Sequence, residues 1–268
     1  MSELLALARR PLPAEDKVRP AAAGHTDCDL DFLALEDDGA TLAAMGVTRA
    51  VCHGLPQDGP TLSPHSGGLD APAIRYVIDA LPPGPAALSR LHARGVRAIR
   101  HRLASDAATL AAQVEAISRD ADAVAPLDWH VELAVGADLT VLARYEWELL
   151  QLPVALCLTD ITAAVARLGV RDENVAMLLD LLHLGRAWIK LGGEIRYAEL
   201  RGFVNAALAV RSDRLLWGSG GEAPLPLPSD HAHRIAARLN VLERLVPDED
   251  DRAAVLVDNP ARLYGFEG

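Results

Sequence analysis

The sequence predicts an α/β fold, a (β/α)₈ barrel of the TIM type, and three observations point to it. Short apolar runs alternate with segments of helical period, which is the rhythm of repeated βα units around a parallel sheet. Eight such runs can be counted in 268 residues. Half of the residues are hydrophobic, enough for one large core of the size barrels use. An open doubly wound sheet would show the same alternation, and the number of strands is what favours closure.

A Pro- and Ala-rich lead-in over 1–23 precedes the barrel domain, 24–268. The strands are expected at His25 to Asp31, Thr48 to His53, Ala73 to Ile78, Val96 to Arg100, Trp129 to Leu133, Val154 to Leu158, Ala187 to Leu191 and Arg214 to Trp217. Several read as continuous Val, Ile and Leu, as parallel strands covered on both faces should. Amphipathic segments lie between them: Ala40 to Met45, Pro85 to Arg94, Ala107 to Arg119, Leu139 to Leu149, Val175 to Leu184 and Tyr197 to Val210. Gly46, Gly95 and Gly185 each stand between a helical run and a strand, where a left-handed C-cap is needed. Two loops rich in Gly, Pro and Ser, Gln57 to Gly68 and Glu222 to Ser229, follow the second and eighth strands at the end where barrel enzymes place their sites.

A formal charge of −11 opposes both nucleic acid and the anionic face of a membrane, which leaves a small molecule or a protein as partner. No apolar run approaches the roughly 18 residues that span a bilayer, and Leu4 to Ala8 before Arg9 is too short for a secretory signal. The three cysteines, Cys28, Cys52 and Cys157, sit scattered in apolar runs and read as reduced core residues of a cytoplasmic protein. A homo-oligomer stays open.

Several strings carry a resemblance: Met45 to Val51, Leu91 to Arg97, Trp129 to Leu133, Trp188 to Gly193, Arg214 to Gly218 and, most specific of all, the tail Val257 to Phe266. They resemble, in order, the branch of the amidohydrolase superfamily that includes 2-pyrone-4,6-dicarboxylate lactonase and related metal-independent lactonases. The resemblance implies a distorted (β/α)₈ barrel. It also implies that Arg100 and Arg196 hold substrate carboxylates, with Lys190 matching as well; an arginine fork suits bidentate carboxylate binding.

The chemical centre departs from that family. Its first strand ends in a His-x-His pair after Asp-Cys, whereas Asp27-Cys28 is followed here by Asp29-Leu30-Asp31. A sixth-strand histidine falls near Asp160. The aspartate that serves as general base on the eighth strand has become Gly220 in Gly218-Ser219-Gly220-Gly221.

Residues two apart on a strand share a face, so Asp29 and Asp31 are expected to point to one region, with Asp160 and Glu132 approaching it if the barrel closes as in the family. Two charges about 4 Å apart cost on the order of 4 kcal/mol at an effective dielectric near 20, so such a cluster requires neutralisation. Three resolutions are open: ion pairs with Arg100, Lys190 or Arg196; a hard cation such as Mg²⁺ or Ca²⁺; or a carboxyl that keeps its proton and works as general acid or base. No cofactor is called for, and the His/Cys complement of a zinc site is missing at these positions.

His130 reads as a core residue, while His25 either reaches the mouth or is a solvated loop residue. His53 and His65 flank the loop after strand two, and His231 and His233 do not share a helical face. Ser219, in its glycine-rich setting, belongs either to an anion-binding nest or to a flexible loop.

The leading expectation is a hydrolase of a small carboxylated lactone or ester, with Arg100 and Arg196 orienting a carboxylate and Lys190 polarising the carbonyl. Asp29, Asp31 or Asp160 would activate water, and His25, Glu132 and Ser219 would line the pocket. The alternatives are a catalytically inactive barrel that binds a small anion or partner protein, and a carboxylate-mediated isomerase or decarboxylase.

Overall fold

The computed structural model describes residues 25–31, 46–55, 73–192, 197–220 and 231–266. Eight strands run parallel in one sheet in chain order. They are β1 (His25–Asp31), β2 (Val47–His53), β3 (Ala73–Ile78), β4 (Val96–Arg102), β5 (His130–Ala134), β6 (Leu156–Thr159), β7 (Ala187–Leu191) and β8 (Leu215–Trp217). The sheet curls until β8 meets β1, so the barrel is nearly closed. At that seam the Ser219 backbone N–H donates to the Asp27 carboxylate at 2.8 Å, a side chain standing in for a ladder.

The strand wall has two apolar faces. Cys28, Val51, Val77, Ala98, Cys157, Trp188 and Leu216, from seven different strands, form the cluster that fills the lumen. Their neighbours in sequence, such as Cys52, Ile99, Ile189, Leu215 and Trp217, face the helices. Alternation on strands buried on both sides thus produces two cores rather than a wet and a dry face. All three cysteines are buried and unbridged.

The helices between strands are α1 (Pro85–Ala93), α2 (Ala107–Val124), α3 (Thr140–Arg144), α4 (Glu146–Leu150), α5 (Thr162–Leu168), α6 (Glu173–His183) and α7 (Tyr197–Arg211), and α8 (His231–Leu245) follows β8. Leu110 and Ile117 of α2, Leu178 and Leu182 of α6 and Phe203 of α7 press on the outer core. Asp106 caps α2 through the Thr109 N–H at 2.9 Å, and Asp172 caps α6 through that of Asn174 at 2.9 Å. Gly46, Gly95 and Gly185 all take positive φ, at 83°, 93° and 69°, and for Gly95 and Gly185 the place between helix and strand demands it. No helix among the described residues is long and apolar enough to cross a membrane.

Two helical expectations change. The segment Leu139 to Leu149 is not one helix: Tyr145, at φ −129° and ψ 23°, leaves the helical region and divides α3 from α4. The sequence reading also passed over α5, a short helix ended by Gly169 at φ 82°. The segment Ala40 to Met45 and both Gly- and Pro-rich loops lie outside the described residues.

The C-terminal tail plugs the barrel at the N-terminal ends of the strands. Helix α9 (Glu249–Ala253) passes through a π turn at Ala254–Asp258 into α10 (Asn259–Tyr264). Pro260, with no N–H to donate, sits where only the first turn of a helix tolerates it. The Asn259 amide donates to the carbonyls of Ser212 and Leu215, both at 2.8 Å, and so ties the tail to the root of β8. Arg75 donates to the carbonyls of Tyr264 at 3.2 Å and Gly265 at 2.6 Å, while its guanidinium lies 4.9 Å from the centre of the Phe266 ring. Leu263 and Tyr264 enter the lumen from below.

Candidate active site

Inward-facing positions on β4 and β5 place Arg100 directly beside Glu132 in register. Each belongs to an ion pair. Arg100 donates through Nη2 to Asp160 Oδ2 at 3.0 Å, and its Nη1 lies 3.2 Å from His53 Nδ1. Arg102, two residues on and so on the same face, brings Nη1 to 3.7 Å from the same Asp160 oxygen. Asp160 follows the last residue of β6 and takes φ 58°, a left-handed turn that aspartate tolerates better than most side chains. Its side chain is 30% exposed, so this pair lies at the C-terminal mouth, within reach of solvent.

The second pair lies deeper. Lys190, on the inward face of β7, donates to Glu132 Oε1 at 2.9 Å, and Tyr264 from the tail donates its hydroxyl to the same oxygen at 2.6 Å. Both members of the pair are almost fully buried. Burial alone would raise the Glu132 carboxyl, but the Lys190 ammonium and the neighbouring His130 hold it well below the usual carboxylate range. The Tyr264 hydroxyl is raised well above its ordinary value, by burial and then by the Glu132 charge, so it stays a donor. His130 is pushed down by burial, with Glu132 opposing, and its Nε2 stands 3.8 Å from the carboxylate. A neutral imidazole, an ionised carboxylate and a neutral phenol therefore surround one ammonium.

The expected site residues separate into groups. Arg100 and Asp160 meet, and so do Lys190 and Glu132, with His53 and Arg102 added at the mouth. Ion pairing is thus how the described carboxylates are compensated, the first of the three resolutions considered. Among the described residues no three of His, Cys, Asp and Glu come together as metal ligands.

His25 is a correction. It is fully buried and packs edge-on against Trp217, at 6.3 Å between ring centres, in the layer outside the barrel. It is neither at the mouth nor in a solvated loop, because an outward-facing position on a covered strand faces helices. Ser219 is buried, and its backbone N–H already donates to Asp27, so it is engaged in the seam rather than offered to an anion. The carbonyl of Gly220, where the resemblance would set a base, accepts from Arg238 of α8 at 2.7 Å.

Asp29 and Asp31 belong to β1, but their side chains lie outside the described residues. The backbone bears on them in one way. From Asp27 to Leu30 the strand advances three residues against two on β2, from Ala50 to Cys52. This irregularity interrupts the strict alternation on which a shared face was argued. Arg196 and His65 lie outside the described residues, as do the side chains of His231 and His233.

Three participants were not singled out from sequence as site residues. Tyr264 was read only as part of a tail motif, although a tyrosine in an otherwise apolar plug needs a partner for its hydroxyl. Arg102 shares the inward parity of Arg100 and could have been found by it. Asp27 precedes a buried cysteine, and no local pattern announces that its carboxylate closes the barrel.

Comparison with known proteins bears on the fold and the family. The amidohydrolase family profile matches residues 9–266. A 4-sulfomuconolactone hydrolase of Rhizobium radiobacter is 27% identical over 260 residues, 86% of this chain and 80% of that protein. A 2-pyrone-4,6-dicarboxylate hydrolase of Comamonas testosteroni is 25% identical over 261 residues, 90% and 82% of the two chains. Among solved structures, an Agrobacterium tumefaciens protein superposes with a TM-score of 0.68 at 18% identity, covering 91% of this chain and 96% of that one. A probable 2-pyrone-4,6-dicarboxylic acid hydrolase from Acinetobacter baumannii, solved with citric acid bound, gives 0.62 at 17% identity, covering 91% and 100%. With the profile spanning nearly the whole chain, this protein belongs to the amidohydrolase family.

Proposed function

We propose that the chain hydrolyses a small lactone bearing a carboxylate, bound at the mouth between Arg100 and Lys190. The observation that carries this reading is the pair of adjacent ion pairs, Arg100 with Asp160 and Lys190 with Glu132, on neighbouring inward positions. A substrate carboxylate competes with Asp160 for the Arg100 fork, a site whose exposure lets the exchange occur at the surface. Asp160, displaced from Nη2, then stands beside the bound ring with Arg102 still near its Oδ2.

Water adds to the lactone carbonyl as Asp160 takes its proton. The ring C–O bond breaks, and the departing oxygen takes that proton back, giving a hydroxy acid. Lys190 faces the negative charge that develops on the carbonyl oxygen, held in place by Glu132, Tyr264 and the surrounding wall. Arg196 and the pair Asp29 and Asp31 belong to the proposal as further carboxylate-binding and base candidates. The names of the Rhizobium and Comamonas relatives, which give a sulfonated lactone and a pyrone dicarboxylate, support this substrate class.

The test is turnover of a panel of carboxylated lactones, 2-pyrone-4,6-dicarboxylate included, by the wild type, Arg100→Gln and Asp160→Asn. Arg100→Gln should raise KM by about 10- to 100-fold, the loss of one charge-assisted contact, with a smaller change in kcat. Asp160→Asn should lower kcat. Full activity in Asp160→Asn would exclude it as the base. Gly220, standing where the family keeps a base, favours a second reading in which the barrel binds such anions without turnover. Saturable binding across the panel with no hydrolysis would establish that reading, and solvent deuterium in recovered ligand would point instead to proton-transfer chemistry.

A further inference from the structure

Arg100 and Arg102 occupy successive inward positions at the end of β4, and both guanidinium groups approach one oxygen of Asp160, the residue that follows β6. They do not hold it alike. Arg100 Nη2 makes a hydrogen bond to Oδ2 at 3.0 Å, whereas Arg102 Nη1 stands 3.7 Å from that oxygen, beyond hydrogen-bond length. Among the described residues no hydrogen bond reaches Oδ1.

The backbone under Arg102 is firmly fixed. Arg102 pairs with Ala134 of β5, and the Leu103 N–H continues the contact to the Ala134 carbonyl at 3.0 Å. Gln113 of α2 clasps the strand end, donating to the Arg102 carbonyl at 2.9 Å and accepting from the Ala104 N–H at 2.8 Å. The Arg102 side chain itself is 69% exposed, so a change of rotamer on this fixed mount is enough to bring Nη1 into hydrogen-bond range of Asp160.

Arg100 has a second tether, because its Nη1 lies 3.2 Å from His53 Nδ1. When a substrate carboxylate takes the Nη2 edge, Arg100 stays beside His53 and Asp160 is the partner that moves. Asp160 then faces the incoming carboxylate as a like charge, which one guanidinium cannot compensate for both. A second guanidinium already at Oδ2 gives each carboxylate its own cation.

We propose that Arg102 is the positioning residue for the base: as the substrate carboxylate takes Arg100, Asp160 passes from Arg100 to Arg102, which holds Oδ2 and leaves Oδ1 to accept the proton from water. This role rests on the hydrolysis proposed above. No bond is made or broken in the hand-off, and Arg102 acts on the reaction only through Asp160.

The test is a double-mutant cycle on the full chain. Steady-state hydrolysis of 2-pyrone-4,6-dicarboxylate and related carboxylated lactones is measured for the wild type, Arg102→Gln and Arg102→Lys, and calorimetric binding of the same compounds for Asp160→Asn with and without Arg102→Gln. Arg102→Gln should lower kcat about tenfold, the loss of one charge-assisted contact, and change KM by less than about threefold, since the released Asp160 can turn to solvent. Arg102→Lys keeps a cation and should recover most of kcat. With Asp160→Asn there is no charge left to hold, so adding Arg102→Gln should leave Kd within about twofold. Binding weakened about tenfold in that background would show that Arg102 grips the substrate itself, and would overturn the proposal. So would turnover by Arg102→Gln equal to wild type, or a loss that Arg102→Lys fails to recover. Each of those results leaves the proposed hydrolysis standing, whereas no turnover by the wild type would remove that reading and this role together.

Discussion

Glu132 accepts hydrogen bonds from Lys190 and Tyr264 at a position with no solvent exposure, so its charge depends on those two donors. Removing one member of such a pair leaves an uncompensated buried charge. Lys190→Met should therefore lose about 3–5 kcal/mol of stability, and adding Glu132→Gln to it should restore most of that loss, as read from urea unfolding. A single variant as stable as the wild type would contradict the pairing. The pH dependence has a definite sign. Because the folded carboxyl is depressed, the unfolded chain binds its proton more readily, so the stabilisation is complete above the ordinary carboxyl range near 4.5 and is lost as the pH falls through the lower folded value. The stability difference between wild type and Glu132→Gln should accordingly shrink between pH 6 and pH 3, and a constant difference would mean that Glu132 is not depressed. Of this network the sequence announced Lys190 and Glu132 as residues but not as partners. Their contact spans 58 positions, and only barrel closure brings them together.

Strands were the most legible elements: β1, β3 and β7 carry the boundaries expected. Gly95 shows why such signals are reliable. At φ 93°, with a Cβ that would come within 3.3 Å of the Ile74 carbonyl oxygen, it meets a conformational and a steric demand together. Gly95→Ala should cost more than the roughly 1 kcal/mol typical of a strained left-handed position, measured as a lower urea midpoint with unchanged slope. The tail motif was legible as a resemblance, but its purpose was not. Asn259 holds two carbonyls at the root of β8, so Asn259→Ala should lose about 1–3 kcal/mol, and a neutral effect would show that the plug does not depend on it. The seam was not legible at all, because a carboxylate that replaces a ladder hydrogen bond has no periodicity. His25 was misplaced for a related reason: its position on a strand was correct, but the face it presents depends on register shifts in β1 that no local pattern encodes.

At the scale of the whole molecule the barrel separates two charged ends in an acidic protein. The mouth holds Arg100, Arg102, Asp160 and His53 over the buried Lys190 and Glu132, while the tail and β8 root gather Arg211, Arg214 and Arg262 around Asp213. Fold and family were legible because apolar rhythm and ordered strings extend along the chain. Pairing within the mouth was less so, since spacing in sequence carries no distance across a closed sheet. The resemblance sets carboxylates and glycine where related lactonases carry histidines and a base, and the proposal gives anion binding to the cations that match. The most direct measurement of the account is steady-state hydrolysis of 2-pyrone-4,6-dicarboxylate and related carboxylated lactones by the wild type beside Arg100→Gln. Turnover that loses most of its kcat/KM in Arg100→Gln through KM is the predicted result. Turnover indifferent to Arg100, or none across the panel, would contradict it.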